Sequence, residues 1–179
     1  MNTEAKLLKL MLEDARRKTL KGIEGLTKEQ LFAPPVPNED CIGAYLMHLG
    51  ECEIGWYETT TGETLPQELK DRNYYAVWIG CPAEEAHPPK EALEVKEYID
   101  AITDVRKLWL DFLDIIDDSV LDEIVVVRRG ENEARMTKRD IVNRLISHEN
   151  HTHGQMFLLM GMGGMKKDFG DIWKIRLEK

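Results

Sequence analysis

Residues 93–116 read LEVKEYIDAITDVRKLWLDFLDII, and this stretch decides the fold class. Val95, Ile99, Ile102, Val105, Leu108, Trp109, Phe112 and Ile115 recur every three or four positions, with acids and bases between them. That is the rhythm of an α-helix with one apolar stripe, not the alternation of a half-buried strand. A helix of this kind must lay its stripe against other elements, and the chain on either side supplies them.

Upstream, a second helix is expected over residues 39–61, started near Asn38 or Asp40, with Ile42, Tyr45, Leu46, Leu49, Cys52 and Trp56 on one broad face and His48 beside it. A first helix is expected over residues 4–26, with Leu7, Leu8, Leu10, Met11, Ala15 and Ile23 near helical spacing and Gly25 as its end signal. Thr27 and Gln30 have the form of a capping box for one short turn, which Pro34, Pro35 and Pro37 stop. Downstream, the β-branched run Ile124-Val125-Val126-Val127, followed by Gly130 and Asn132, predicts a small hairpin between residues 120 and 136. Thr137 then caps a last helix reaching about Met162, with Ile141, Leu145, Ile146, Met156 and Leu159 on its apolar side and Gly161, Gly163 and Gly164 at its end. The polar connection over residues 63–90, with Tyr74, Tyr75 and Trp78, is longer than connections usually are and is expected to hold a short helix and act as a lid or an interface. The end of the chain, with Ile172, Trp173 and Ile175, is expected to dock back on the body.

Length and composition narrow the function. The chain has 179 residues, 42% of them hydrophobic, which suits one domain with a real core. A formal net charge of −9 argues against a nucleic-acid backbone as partner. The densest basic run, Arg16-Arg17-Lys18, follows Glu13 and Asp14 and reads as a solvated helix face. No apolar run is long enough to span a membrane, and Met1-Asn2-Thr3-Glu4 does not open a secretory signal. Cys41, Cys52 and Cys81 form no paired motif, which fits a reducing cytoplasm.

Three of the five histidines fall within Ser147–Gln155. His148 and His151 are three apart and point roughly the same way on a helix, whereas His153 points well away from His148. Two imidazoles so placed can hold a divalent transition metal if a third ligand comes from elsewhere. His48, in the middle of another long helix, is the natural candidate, and His87 a weaker one. Thr152 stands where an HExxH motif would need its second histidine, so that motif is not present. A hydrogen-bonded core histidine at His48 and a solvated helix end at 148–153 are the competing explanations. Cys52, four residues after His48, shares its face and could be a soft ligand, a thiol or packing. Glu53 could lie near the mouth of the bundle as a catalytic base or as support for a ligand, or be a surface glutamate. Gln155 could steady the ligands or bond another helix.

These passages together resemble the DinB-like family. Residues 47–56, with His48, Glu53 and Trp56, look like its second-helix motif; residues 137–147 look like the start of its last helix; residues 148–155 look like its histidine motif ending in Gly-Gln; residues 25–31 look like its exit from the first helix. The resemblance implies an all-α fold: an up-down-down-up-type four-helix bundle with a small β-hairpin before the last long helix, filling residues 1–179 as one domain. It implies a metal, nickel or zinc, held by one histidine of the second helix and two of the last. The first two ligands carry over to His48 and His148. The usual third position is Thr152, where this chain departs, and His151 is the expected substitute. The activity so implied is that of a metal-dependent hydrolase or a low-molecular-weight thiol transferase acting on a small molecule, with pairing into a homodimer. The alternative is a non-catalytic, stress-related bundle that binds a metal or a small molecule.

Overall fold

The computed structural model describes residues 3–79, 87–129 and 132–165. Four long helices dominate it: α1 (Thr3–Ile23), α3 (Ile42–Thr61), α5 (Val95–Ile115) and α6 (Lys138–Met162). Between them lie two short helices, α2 (Lys28–Phe32) and α4 (Gln67–Arg72), a 3-10 turn (Asp118–Asp122), and strands β1 (Ile124–Arg129) and β2 (Asn132–Thr137). The strands form an antiparallel hairpin with Ile124 opposite Thr137 and Arg129 opposite Asn132. Thr137 is both the last strand residue and the cap of α6; its hydroxyl accepts from the Asp140 amide, and the Asp140 carboxylate accepts from the Thr137 amide.

The direction of each long helix follows from what meets at the ends. The Asp118 carboxylate, just past the end of α5, accepts from the first free amides of α1, at Thr3, Glu4 and Ala5. Glu4 also pairs with Arg139 at the start of α6. The beginnings of α1 and α6 therefore share one end of the bundle with the end of α5. At the other end, Gly43 near the start of α3 lies against Tyr98 near the start of α5. The order is up, down, down, up, and each helix packs on two neighbours: α1 and α3 both touch α5 and α6. Since α3 and α5 run side by side in the same direction, residues 62–94 must return the chain along a full helix length, roughly 30 Å. That return accounts for the long connection. Gly62, in the left-handed region at φ 77°, ends α3 and starts it.

The core falls into two apolar halves. One is built around Leu8, Leu12, Ile54, Trp109, Leu113 and Ile141, the other around Ile42, Leu46, Tyr98, Ile102, Met156 and Leu159. Between them lies a charged layer with one residue from each long helix: Arg16, Glu53, Arg106 and Glu149, all at most 5% exposed. This corrects the sequence reading of the basic run. Arg17 and Lys18 do pair with Asp14 at the surface, but Arg16 turns inward. The apolar stripe of α1 is likewise rotated from expectation. Ala5, Leu8, Leu12, Ala15 and Ile23 are buried, and Leu7, Leu10 and Met11 are exposed. On α5, Ile115 is 82% exposed, and Leu113 and Ile116 are buried in its place. Among the described residues, no helix is long and apolar enough to cross a membrane. Ile172, Trp173 and Ile175 lie outside the described residues.

Candidate metal centre

His48 and Cys52 are one helical turn apart on α3, about 40° apart around its axis, so their side chains leave the same face. His148 approaches from α6, which packs against α3. The three converge. His48 Nε2 and His148 Nε2 are 3.2 Å apart, and Cys52 Sγ lies 3.6 Å from the first and 3.8 Å from the second. Ligand atoms of all three residues fall within 4.8 Å of one another, and this is the only such group of metal-ligating side chains among the described residues.

Those separations can be compared with what an ion would require. Nitrogens about 2.0–2.1 Å and a sulfur about 2.3 Å from a tetrahedral centre stand about 3.3 Å (N to N) and about 3.6 Å (N to S) from each other. The cluster matches that spacing within a few tenths of an ångström, so its donor set fits a divalent transition metal. Three protein ligands leave one tetrahedral position open, as catalytic sites do.

The local electrostatics also favour a thiolate. Burial pushes the Cys52 thiol up, but the two imidazoles beside it outweigh burial and bring it down to about 7. Burial works against the charged His48 ring, yet Cys52 and Glu51 hold its proton and raise it to about 10. A metal ion takes the thiolate and a neutral imidazole nitrogen. Binding an ion means losing that proton, so uptake is favoured as pH rises.

The other residues that the sequence singles out fall elsewhere. His151 is exposed and not part of the convergent group. The buried side of α6 runs through Leu145, Glu149 and Thr152, all turned one way from His148, whereas His151 is turned about 60° the other way, toward solvent. Thr152, where the resemblance implies the third ligand, is 1% exposed and does face inward, but it brings no imidazole. His87 is exposed and Gln155 is exposed. Glu53 is not at a mouth: it lies about 140° around α3 from His48, is 2% exposed, and is bound up in the charged layer. Both of its carboxylate oxygens accept from Arg106, at 2.6 and 3.0 Å, and one accepts from Arg16 at 2.5 Å. Glu149 accepts from Arg16 at 2.8 Å and from Arg106. Arg16 also donates to the Ile102 carbonyl and Arg106 to the Leu12 carbonyl, each at 2.5 Å. A carboxylate held by three ion-paired hydrogen bonds inside a closed layer is not placed to meet a substrate.

A pocket of about 390 Å³ opens beside the cluster. His48, Glu51 and Cys52 form one side; Trp56, Tyr75, Ile79 and Val127 supply apolar wall, and Arg128 stands at the rim. It is built by α3, by the segment after α4, and by β1. A larger groove of about 810 Å³ runs between α1 and α5, lined by Leu20, Ile99 and Leu110 among others, and does not touch the cluster. Of the two, only the smaller is lined by cluster residues, His48 and Cys52.

The fold and this inter-helix site define a class: a four-helix bundle carrying a His–Cys–His cluster between its second and last long helices. The profile of the DinB superfamily matches residues 11–156, and the chain belongs to that superfamily. No curated protein matches it. Among solved structures, it is similar to a conserved protein of Enterococcus faecalis at a TM-score of 0.68 and 16% identity, covering 91% of this chain and 98% of that one. It is also similar to YfiT from Bacillus subtilis at a TM-score of 0.59 and 13% identity, covering 90% and 88%. YfiT is described as a probable metal-dependent hydrolase with an unusual four-helix bundle topology.

Proposed function

We propose that this protein is a metal-dependent enzyme acting on a small molecule, most simply by hydrolysis, with a divalent transition metal, nickel or zinc, held by His48, Cys52 and His148. The observation that carries the reading is the spacing of the three donor atoms, which suits a tetrahedral ion. Cys52 takes the part that the family's usual third histidine would play at Thr152. A bound ion supplies a polarising centre and lowers the pKa of coordinated water toward neutrality.

The chain does the rest. His48 and Cys52 present their ligand atoms from one face of α3, and His148 closes the set from α6. Trp56, Tyr75, Ile79 and Val127 shield an apolar substrate portion from water, and Arg128, paired with Glu133 through its Nε, has further guanidinium donors for a polar or anionic end. The Tyr75 hydroxyl, a protonated phenol at neutral pH that burial raises further, can donate a hydrogen bond in the pocket. Hydrolysis is favoured over thiol transfer because YfiT carries the hydrolase description. The test is metal analysis of untagged protein followed by a screen of ester, amide and thiol-transfer substrates, repeated with His48→Ala and His148→Ala. The expected result is about one ion per chain and turnover that both variants lose. An ion without turnover would leave a metal-binding protein, and no ion at all would overturn the reading.

A further inference from the structure

Glu51 lies on α3 between the two metal-ligand candidates, and its two carboxylate oxygens go in different directions. Oε2 lies 3.2 Å from His48 Nδ1, the ring nitrogen that does not meet His148 and that stands 3.9 Å from Cys52 Sγ, against 3.6 Å for Nε2. Oε1 accepts from the Ala76 amide at 3.1 Å. Ala76 belongs to the turn after α4 that walls the pocket. That turn is held against its own preferences: Tyr74 and Ala76 adopt left-handed backbone angles, φ 49° and 58°, which residues with a Cβ seldom take. Its start is seated tightly as well. Asn73 is fully buried, its amide donates to the Leu69 and Ala101 carbonyls, and its side chain lies where a Cβ on Gly50 would have to go, 1.9 Å from the Asn73 Oδ1. Positions 50 and 51 of α3 thus anchor both ends of the strained turn.

We propose that Glu51 is the positioning residue of this site: by accepting from His48 Nδ1 it fixes the tautomer and ring orientation that aim Nε2 at the ion, and by accepting from Ala76 it locks the pocket wall to that same ring. A histidine ligand commonly donates its other N–H to a carboxylate, and loss of such a partner weakens metal affinity without removing a ligand. Here the carboxylate has a second load, so ion binding and the conformation of residues 74–76 become linked. The inference rests on the metal reading of the cluster and adds a residue and a coupling that the ligand set does not contain.

The test compares the parent protein with Glu51→Gln and Glu51→Asp, using zinc alone as the probe. Zinc affinity is measured by competition with a chromogenic chelator, and the Ala76 amide by hydrogen exchange with and without zinc. In Glu51→Gln, zinc affinity is expected to fall by about 10–100-fold with stoichiometry retained at saturation. Glu51→Asp is expected to recover part of the affinity. Adding zinc to the parent is expected to slow Ala76 exchange, and in Glu51→Gln to slow it less. Parent-level affinity, with zinc slowing Ala76 exchange as much in Glu51→Gln as in the parent, would overturn the role of Glu51 while leaving the metal site standing. Failure of the parent itself to take up zinc would overturn the metal reading first, and the role of Glu51 with it.

Discussion

Two polar clusters occupy the same level of this bundle and are opposites in chemistry. Glu53 and Glu149 face the centre; their chain neighbours Cys52 and His148 face the seam between α3 and α6. One residue along a helix is a turn of about 100°, enough to pass from one cluster to the other. The central layer pairs two guanidinium groups with two carboxylates, is closed to water, and has net charge zero. The seam cluster is half-buried, opens on a pocket, and brings three ligand atoms within 4.8 Å of one another. A saturated cluster holds structure; an unsaturated one can bind. The first also serves the second, because the ion pairs that tie α3 to α1 and α5, and α6 to the same two arginines, fix the register that sets His48 and Cys52 opposite His148.

The largest effect should come from breaking the central layer. Arg106→Ala leaves Glu53 and Glu149 buried with half their partners, and we expect a loss of about 3–5 kcal/mol in urea unfolding. A variant as stable as the parent would mean that the layer is not the closed unit described. The next effect is at the seam. Zinc at about 100 times its dissociation constant should stabilise the parent by about 2.7 kcal/mol, seen as a rise of roughly 5–10 °C in melting temperature. His148→Ala should abolish that rise while changing the metal-free melting temperature little, since its imidazole is half-buried and its partners among the described residues, His48 and Cys52, belong to the cluster itself.

A third effect separates the clusters by pH. Burial raises the Glu149 carboxyl, but Arg16 and Arg106 outweigh burial and hold it below the usual carboxylate range. A folded-state value below the unfolded one means stability that is complete at neutral pH and is lost as pH falls through the folded value. The acid limb of the stability curve should therefore steepen with Glu149 present and flatten in Glu149→Gln, as followed by urea midpoints between neutral and acid pH. The smallest effect belongs to the neighbour that the sequence makes look equivalent. Arg17→Ala removes only an exposed pair with Asp14 and should change stability by about 0.5 kcal/mol or less.

That contrast between Arg16 and Arg17 also shows how far the sequence can be read. The helices, the hairpin, the Thr27 and Thr137 caps and the pairing of His48 with His148 are legible, because apolar spacing, β-branching and cap chemistry are local properties. The central layer is not, since each of its residues is ordinary when seen on its own helix. The signal exists only in combination: Arg106 falls between Val105 and Trp109, and Arg16 follows Ala15 in step with Leu12 and Ile23, so a charge interrupts each buried stripe and the four charges sum to zero. The exposed Leu7, Leu10 and Met11 help to hide it by suggesting a different face for α1. At the site, Cys52 is recognisable from its one-turn spacing to His48. The preference for His151 over it comes from analogy with a three-histidine set. What decides against His151 is the rotation of α6, which depends on Leu145, Glu149 and Thr152 all turning inward.

Whether His48, Cys52 and His148 share one ion can be read from cobalt substitution. Cobalt(II) bound by two imidazoles and a thiolate in a tetrahedral site gives strong visible bands and a sulfur-to-cobalt charge-transfer absorption, and Cys41 and Cys81 serve as internal controls. Both features are expected at one cobalt per chain, with loss of the charge-transfer absorption alone in Cys52→Ser and loss of binding in His48→Ala. A charge-transfer absorption that survives Cys52→Ser, or a parent that takes up no cobalt, would contradict a shared ion at these three residues.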